Sequence, residues 1–580
     1  MMMLSKIMMF AKTTMFKKSK TIIILTALIL FIFPNTKAYS QTLKQVVYDD
    51  PVYLFLDKAY AKKWIFYLPA AKPYTEKKAY ALLNEALSEF KASPEKFSSR
   101  DVDELLFHMD RLAGEKFSLL SVKDDQFTAS ANAAPYADFN MALDTPSDTA
   151  AVLGADLIID LTLAQVLYLG FKTDQYLILE TWENSPYKKF HNPHYPDFNM
   201  YTYNLSAGTA GFNENGEHSH GDNELSIRMN QFNQMTIDLN LATISFGRNS
   251  LDWGESQFSN NLLSKNSKPY EYFLFDIPFG QKLYFTWMTG FLKDKKELRS
   301  DDDGKKLITA HKFEFQATEW LMFSIYEAVI YSPKFELAYL NPFSLYYISE
   351  VAQGDYDNKL GGFDFIFRFA PATIYLSFYF DDWDFGQLFN ASYYHNELIA
   401  TLGARHYDFI PGLTITAEAT YTNHWTYTHK ISGGKRNNYT HYNTHLGNLL
   451  EPNSYMIYLD LKYDYSLKST YGFSFWFTQH GYGSIDKHPS DSGGVDWDLA
   501  GKYKPWNGNY NFLDYGIDGI YRETNIDLSI YSEYRIPYYG VKLYAELSTE
   551  YTLNKGTNGF VKGENEWNYY LTLSAKWQAY

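Results

Sequence analysis

The sequence predicts a membrane all-β protein: a transmembrane antiparallel β-barrel of about 18 strands, preceded by a small N-terminal α-helical domain on the periplasmic side. Three observations carry this. The last third of the chain alternates apolar and polar residues in stretches of ~10, as a strand does with one face on lipid and the other on water. Aromatic residues make up 18 % of the chain, with 51 Tyr and 43 Phe, enough for girdles of rings at both membrane interfaces. Finally, the mean hydropathy of -0.35 excludes a helical membrane protein, yet suits a barrel in which every second strand residue is polar.

Taken in order, residues 1–40 read as a secretory signal. Lys12, Lys17, Lys18 and Lys20 form a basic start, Ile22 to Phe33 an apolar run too short to span comfortably. Ala38 and Ser40 place small residues before a cut at Gln41. This segment holds six lysines and no acids, so its removal takes the net charge from -15 to about -21. Nucleic acid is excluded as a partner by that balance. The absence of cysteine removes disulfides, thiolate metal sites and cysteine nucleophiles.

Residues 41–125 read as helical. Pro51 opens an apolar pattern ending near Trp64. Thr75 is placed to cap a helix carrying Leu82, Leu83, Ala86, Leu87 and Phe90 at three- and four-residue steps. Ser98 and Asp101 form a capping box ahead of Val102, Leu105, Leu106, Met109 and Leu112, and Gly114 is placed as a stop.

Residues 126–580 read as the barrel. Expected strands are Leu157 to Phe171, Gln175 to Trp182, Tyr201 to Phe212, Met235 to Phe246, Tyr270 to Phe279 and Lys282 to Leu292. Next come Leu307 to Ala317, Leu321 to Tyr331, Gly362 to Phe369, Ile374 to Phe380, Leu398 to Phe409 and Leu413 to Thr422. The remainder are Tyr455 to Tyr465, Phe473 to Thr478, Ile526 to Arg535, Leu543 to Tyr551 and Tyr569 to Trp577. Long polar stretches between them (213–223, 293–306, 429–448, 481–511) belong on the extracellular side.

Several segments, in order between residues 48 and 465, resemble the capsule-assembly Wzi family of outer-membrane barrels. They are Tyr48-Asp49-Asp50-Pro51, Lys72-Pro73-Tyr74, Phe246-Gly247-Arg248, and Asp252-Trp253-Gly254-Glu255 with Leu262-Leu263-Ser264. Tyr326-Glu327-Ala328, Tyr339-Leu340-Asn341-Pro342-Phe343 with Glu350, Asp381-Asp382, Glu418, Tyr427-Thr428-His429 and Tyr439-Thr440-His441 complete the set. The resemblance implies glycan binding without turnover.

For chemistry, Asp381 and Asp382 are adjacent on a strand and point to opposite faces, so they cannot flank one glycosidic bond. Arg248, Glu327, Glu350, Asp382 and Glu418 are expected to form a charge cluster in the lumen, either pinning the interior or holding a ligand. His218 and His220 sit in a polar loop, and neither they nor His429, His441 and His445 are expected to hold a metal. Flat rings and amides suit pyranose binding, and two loops combine them: Trp425, Tyr427, His429, Asn437, Tyr439 and Tyr442, then Trp497 and Trp506. No phosphate loop, catalytic triad or metalloprotease helix is present, so no enzyme, cofactor or metal is expected.

The expected protein is a monomeric outer-membrane lectin, with membrane lipid around it and surface or capsular polysaccharide as partner. A passive channel and a loop-based adhesin are the alternatives.

Overall fold

Alternation along the chain becomes an antiparallel sheet whose last barrel strand pairs with its first, closing the barrel. This is seen in a computed structural model that describes residues 42–113, 118–124, 127–143, 149–163, 166–180, 201–204, 209–212, 224–239, 241–293, 305–331, 336–353, 357–381, 397–423, 426–429, 437–442, 444–480, 522–536, 541–555 and 563–577. Eighteen strands close the barrel. They are β1 (Phe127–Ala142), β2 (Thr149–Leu163), β3 (Leu167–Glu180), β4 (Glu224–Asp238), β5 (Thr243–Asn249) and β6 (Tyr270–Phe279). Next come β7 (Leu283–Lys293), β8 (Lys305–Thr318), β9 (Leu321–Tyr331), β10 (Asn358–Phe369), β11 (Ala372–Asp381) and β12 (Leu398–Tyr407). The last six are β13 (Leu413–Thr422), β14 (Ser454–Asp464), β15 (Ser469–His480), β16 (Glu523–Ile536), β17 (Val541–Lys555) and β18 (Glu564–Trp577). This is an outer-membrane barrel that crosses the bilayer many times.

Side-chain parity separates lipid from lumen. In β9, Met322, Ser324, Tyr326, Ala328 and Ile330 point inward, while Phe323 and Ile325 point out. Ile325 is 50 % exposed and Tyr326 2 %. Short turns join strands at one end, the periplasmic one, and the long connections lie at the other. In one short turn, Gly412 adopts a φ of 87° and its N–H donates to Asp408 Oδ1 at 2.9 Å.

Two expected strands hide turns. Leu157 to Phe171 divides between β2 and β3, because Leu163-Ala164-Gln165-Val166 lacks any Gly, Pro or Asn to mark the break. Met235 to Phe246 divides between β4 and β5, where exposed Leu239 and Leu241 mimic strand alternation. Tyr201 to Phe212 is instead a hairpin of Tyr201–Asn204 and Thr209–Phe212, attached to β4 beyond the end of β5. The closing strand β1 escaped the sequence reading because its Ala-rich stretch, with Pro135, alternates weakly. The sheet also begins ahead of Gln126, since Leu120–Asp124 pairs with the start of β1. The signal segment lies outside the described residues.

Among the described residues, three α-helices precede the barrel: α1 (Pro51–Ala61), α2 (Glu76–Ala92) and α3 (Ser99–Ala113). The second and third start at the caps read from sequence, and the first at Pro51 with Asp50 as a cap the sequence reading had not named. Asp50 accepts from the Val52 N–H with Pro51 at the first position, Thr75 accepts from Lys78, and Ser98 and Asp101 cap each other's backbone N–H groups. Gly114 lies outside the described residues. The helices bury Phe55, Trp64, Leu83, Phe97 and Leu105 among themselves, and that core runs on into the barrel through Met322, Ile366 and Tyr375. The module does not stand alone. It closes the periplasmic mouth.

Charges secure it there. Lys58 Nζ lies 2.7 Å from Asp101 and 2.9 Å from Glu104, and Lys62 Nζ lies 2.5 Å from Asp408 in the β12–β13 turn. Burial raises the Asp101 and Asp408 carboxyls, but the two lysines more than offset it and hold both below 3.8. Burial, with Arg111, Arg535, Lys462 and Lys58 around it, holds His108 well below 6.5. All three groups therefore lose their contribution in acid: His108 as pH falls below 6.5, the two aspartates as pH falls through their lowered values. Asp50, raised by burial despite Arg111, acts in the opposite sense. Limited proteolysis should show the helical domain loosening in two stages on acidification while the barrel keeps its gel mobility. Protection unchanged down to about pH 3 would refute this.

Candidate functional site

The lumen is filled from both ends. The β5–β6 connection (250–269) leaves the extracellular rim, turns into the barrel and meets the helical domain. There Asp252–Trp253 pairs antiparallel with Ala71–Lys72, and the Gly254 N–H donates to the Ala70 carbonyl. Leu251, Trp253, Leu262 and Leu263 supply an apolar centre packed on Ile308, Tyr326, Ile330, Leu360, Tyr379 and Ile399 of the wall.

Wall groups grip this inward loop. Glu418 accepts from Ser256 Oγ at 2.7 Å and the Gln257 N–H at 2.6 Å, and takes the Tyr375 hydroxyl at 2.5 Å. Tyr375 reaches it by lying across Gly403, where a Cβ would sit 2.1 Å from the ring. Asn261 bonds to Ser377 and Thr401 of the wall and to Asn448 of the β13–β14 connection. A cavity of about 10 Å³, lined by Glu255, Asn260, Asp364 and Tyr375 among others, lies between loop and wall. It is room for about one water.

A charge network lies where wall, helices and loop meet. Arg405 donates to Asp57 of α1 at 2.8 Å, to the Tyr407 hydroxyl at 3.3 Å and to the Glu255 carbonyl at 3.3 Å. Lys72 Nζ stands 3.7 Å from Asp57. Burial pushes the Glu255 carboxyl up, partly countered by Lys72 and Arg405. Alongside, Lys312 pairs with Asp364 at 2.7 Å and Glu314 at 3.7 Å, and Glu314 accepts from the Tyr67 hydroxyl and the Ala70 N–H.

The expected lumen cluster is therefore corrected. Of its five members Glu418 faces the lumen. Arg248 shares the outward parity of exposed Phe246. Glu327 alternates with inward Tyr326 and Ala328, so it points out, and Glu350 pairs with Lys359 in the β9–β10 connection. Asp382 lies outside the described residues. Strand parity was the available signal, and it also places Lys312, Glu314, Asp364 and Arg405 inward.

The expected glycan residues also divide. Tyr427 and Tyr439 have no exposed surface. They stack on each other at 5.2 Å, their hydroxyls donating to the carbonyls of Asn261 and Leu262, so no ring face is open to a sugar. His429 and Asn437 are buried with them, the His429 N–H donating to Asn438 and the Asn437 carbonyl accepting from Asn358. These four are the upper layer of the filling rather than stacking platforms. Trp425, Trp497 and Trp506 lie outside the described residues, as do His218 and His220.

Tyr442 alone of the described candidates is half-buried at the extracellular rim. Lys268 and Lys293 each place Nζ 5.9 Å from its ring, and Lys268 also donates to its carbonyl. Beside it, burial together with Arg248, Lys268 and Lys306 holds His441 well below its usual value. An otherwise acidic chain thus gathers positive charge around an accessible ring. Neither lysine was among the sequence candidates, since each sits at a strand boundary outside the aromatic loop.

Among solved structures, the chain is similar to Wzi, an outer-membrane protein involved in group 1 capsule assembly in Escherichia coli and a carbohydrate-binding β-barrel. The TM-score is 0.56 at 12% identity, over 92% of this chain and 99% of that one. OccK10 (OpdN) and OprD of Pseudomonas aeruginosa match at TM-scores of 0.38 and 0.39 and identities of 10% and 9%. They cover 78% and 80% of this chain, and 98% and 96% of their own. No protein-family model and no curated relative matches the sequence. The likeness to Wzi first read from scattered motifs thus extends to the whole fold, an 18-stranded outer-membrane barrel with helices before its first strand.

Proposed function

We propose that the protein binds surface polysaccharide at its extracellular face and holds it without chemical turnover. The observation that carries this reading is the filled lumen: among the described residues, the inward loop and the helical domain meet inside the barrel. That leaves the outer rim as the working surface. There Tyr442, with Lys293 and the buried Lys268 beside it, offers a ring for a pyranose face in a positively charged setting that suits an acidic saccharide. A long polymer engages several such weak contacts at once, so avidity offsets modest affinity at each. The carbohydrate binding of Wzi supports the same reading.

A channel reading draws on the opposite wall, where Asp156, Asp174, Asp527, Glu546 and Glu550 carry inward parity. Two assays separate the readings. Glycan-array retention should be present, and Tyr442→Ala should weaken it about tenfold, the ~1–2 kcal/mol typical of a truncated aromatic anchor. A deletion strain should release its polysaccharide into the medium while still making it. Steady cation-selective conductance in planar bilayers, with no glycan retained, would replace the proposal by the channel.

A further inference from the structure

The outer faces of barrel strands meet hydrocarbon, where a polar group without a partner is costly. Yet β7, β8 and β9 carry Thr289, Thr309, His311 and Glu327 on that side, toward their extracellular ends. The β9–β10 connection resolves the conflict by folding back over the outer wall. Helix α4 (Tyr346–Gln353) begins with its Tyr346 N–H donating to Glu327 at 3.0 Å, while His311 Nε2 lies 3.3 Å from the same carboxylate. Trp287 Nε1 donates to the Tyr346 hydroxyl at 2.9 Å, and His311 Nδ1 lies 3.1 Å from the Pro342 carbonyl. Thr289 and Thr309 bond to each other, and Thr309 to Tyr331. Tyr339 packs on Tyr331, and Phe343 stacks on Phe285 at 5.0 Å. Every member of the polar patch is partnered; Thr289, Thr309 and His311 are buried and Glu327 is partly covered.

The other face of this cover is mainly apolar, with Asn341 as an exposed polar side chain between Leu337 and Val351. Leu345, Ile348 and Val351, at three-residue steps, are 56, 62 and 58 % exposed, with Leu337 and Phe343 exposed beside them. Glu350 is the only charged residue between Leu337 and Val351, and it is buried, paired to Lys359 at 2.8 Å. The exposed face therefore carries no charge. It continues the exposed apolar belt of Phe291, Phe315 and Ile325 on the strands.

We propose that Leu337–Val351 lies within the outer leaflet of the membrane, with the Leu345, Ile348 and Val351 face on acyl chains. The segment is then a lipid-contact element lying in the plane of the membrane, not an extracellular loop. Its inner face lets the barrel wall carry a polar patch at membrane height. Continuity with the lipid-facing belt and the inward turn of its one charge both favour acyl chains over water as its surroundings. The inference is independent of what the extracellular rim binds.

Because the chain has no cysteine, single-cysteine variants give unique labelling sites. Ile348→Cys and Val351→Cys are compared with Ile325→Cys on the lipid-facing wall and Leu106→Cys on exposed α3. Each is nitroxide-labelled and folded as the full chain into liposomes, with heat-modifiable gel mobility confirming the barrel. Labels at 348 and 351 should collide freely with oxygen and lose access to a water-soluble nickel chelate, as at 325 and opposite to 106. Nickel access equal to that at 106 would overturn the proposal. So would loss of access to both reagents together with spin–spin broadening or a disulfide dimer, which would assign the face to a second copy.

Discussion

Arg405→Ala is expected to destabilise the folded protein by about 3–5 kcal/mol and to raise the conductance of the barrel above that of the parent protein. Arg405 is buried and joins three parts of the molecule: its own strand through Tyr407, α1 through Asp57, and the inward loop through the Glu255 carbonyl. Without it, the carboxylates of Asp57 and Glu255 are left with Lys72 as the nearest cation in a region closed to water. Breaking a buried pair by removing one partner costs far more than the pair is worth as a whole, because the orphaned charge stays behind. The least costly relief is outward movement of the inward loop, which hydrates Glu255 and unseals the lumen. Urea titration in vesicles reads the first effect and planar bilayers the second. Arg405→Lys should fall between, since it keeps the charge and loses the forked geometry. An unchanged midpoint together with an unchanged conductance would show that the loop is held by its apolar contacts alone.

Local features of this fold were legible because they depend on neighbours in sequence. A period of two defines β13, β14 and β17 directly, and the caps at Asp50, Thr75 and Ser98 are made by residues within three positions. The lumen was not legible. Arg405, Glu255 and the stretch that holds Asp57 and Lys72 lie far apart in sequence, and no pattern within a strand says which loop will meet it inside. One signal was available. Leu251, Trp253, Leu262 and Leu263 make the β5–β6 connection too apolar for a loop in water, which marks it as a segment that turns inward. The candidate site failed for a related reason. A Tyr in a long connection reads as exposed, but Tyr427 and Tyr439 are held under the rim by carbonyls of that same inward loop. Arg248, Glu327 and Glu350 were grouped by their chemistry when parity already separated two of them from Glu418.

Lys312 offers the sharper test of what buried charge contributes here. Lys312→Met is expected to cost about 3–5 kcal/mol, because it leaves Asp364 and Glu314 facing each other in the filled lumen without their cation. Adding Asp364→Leu should restore much of that loss. The surviving Glu314 keeps the Tyr67 hydroxyl and the Ala70 N–H, and Ser324 loses a bond at 2.9 Å that a hydroxyl can replace by turning. The double variant is therefore expected to be more stable than the single one, a coupling read from the four urea midpoints of the cycle. Additive costs would mean that Lys312 and Asp364 act separately and that the network is packing with charges attached. A restored double variant whose helical domain has nonetheless become protease-sensitive would mean something different. The pair would then act less on global stability than on docking, since Lys312 aligns the Glu314 carboxylate that receives residues 67 to 70.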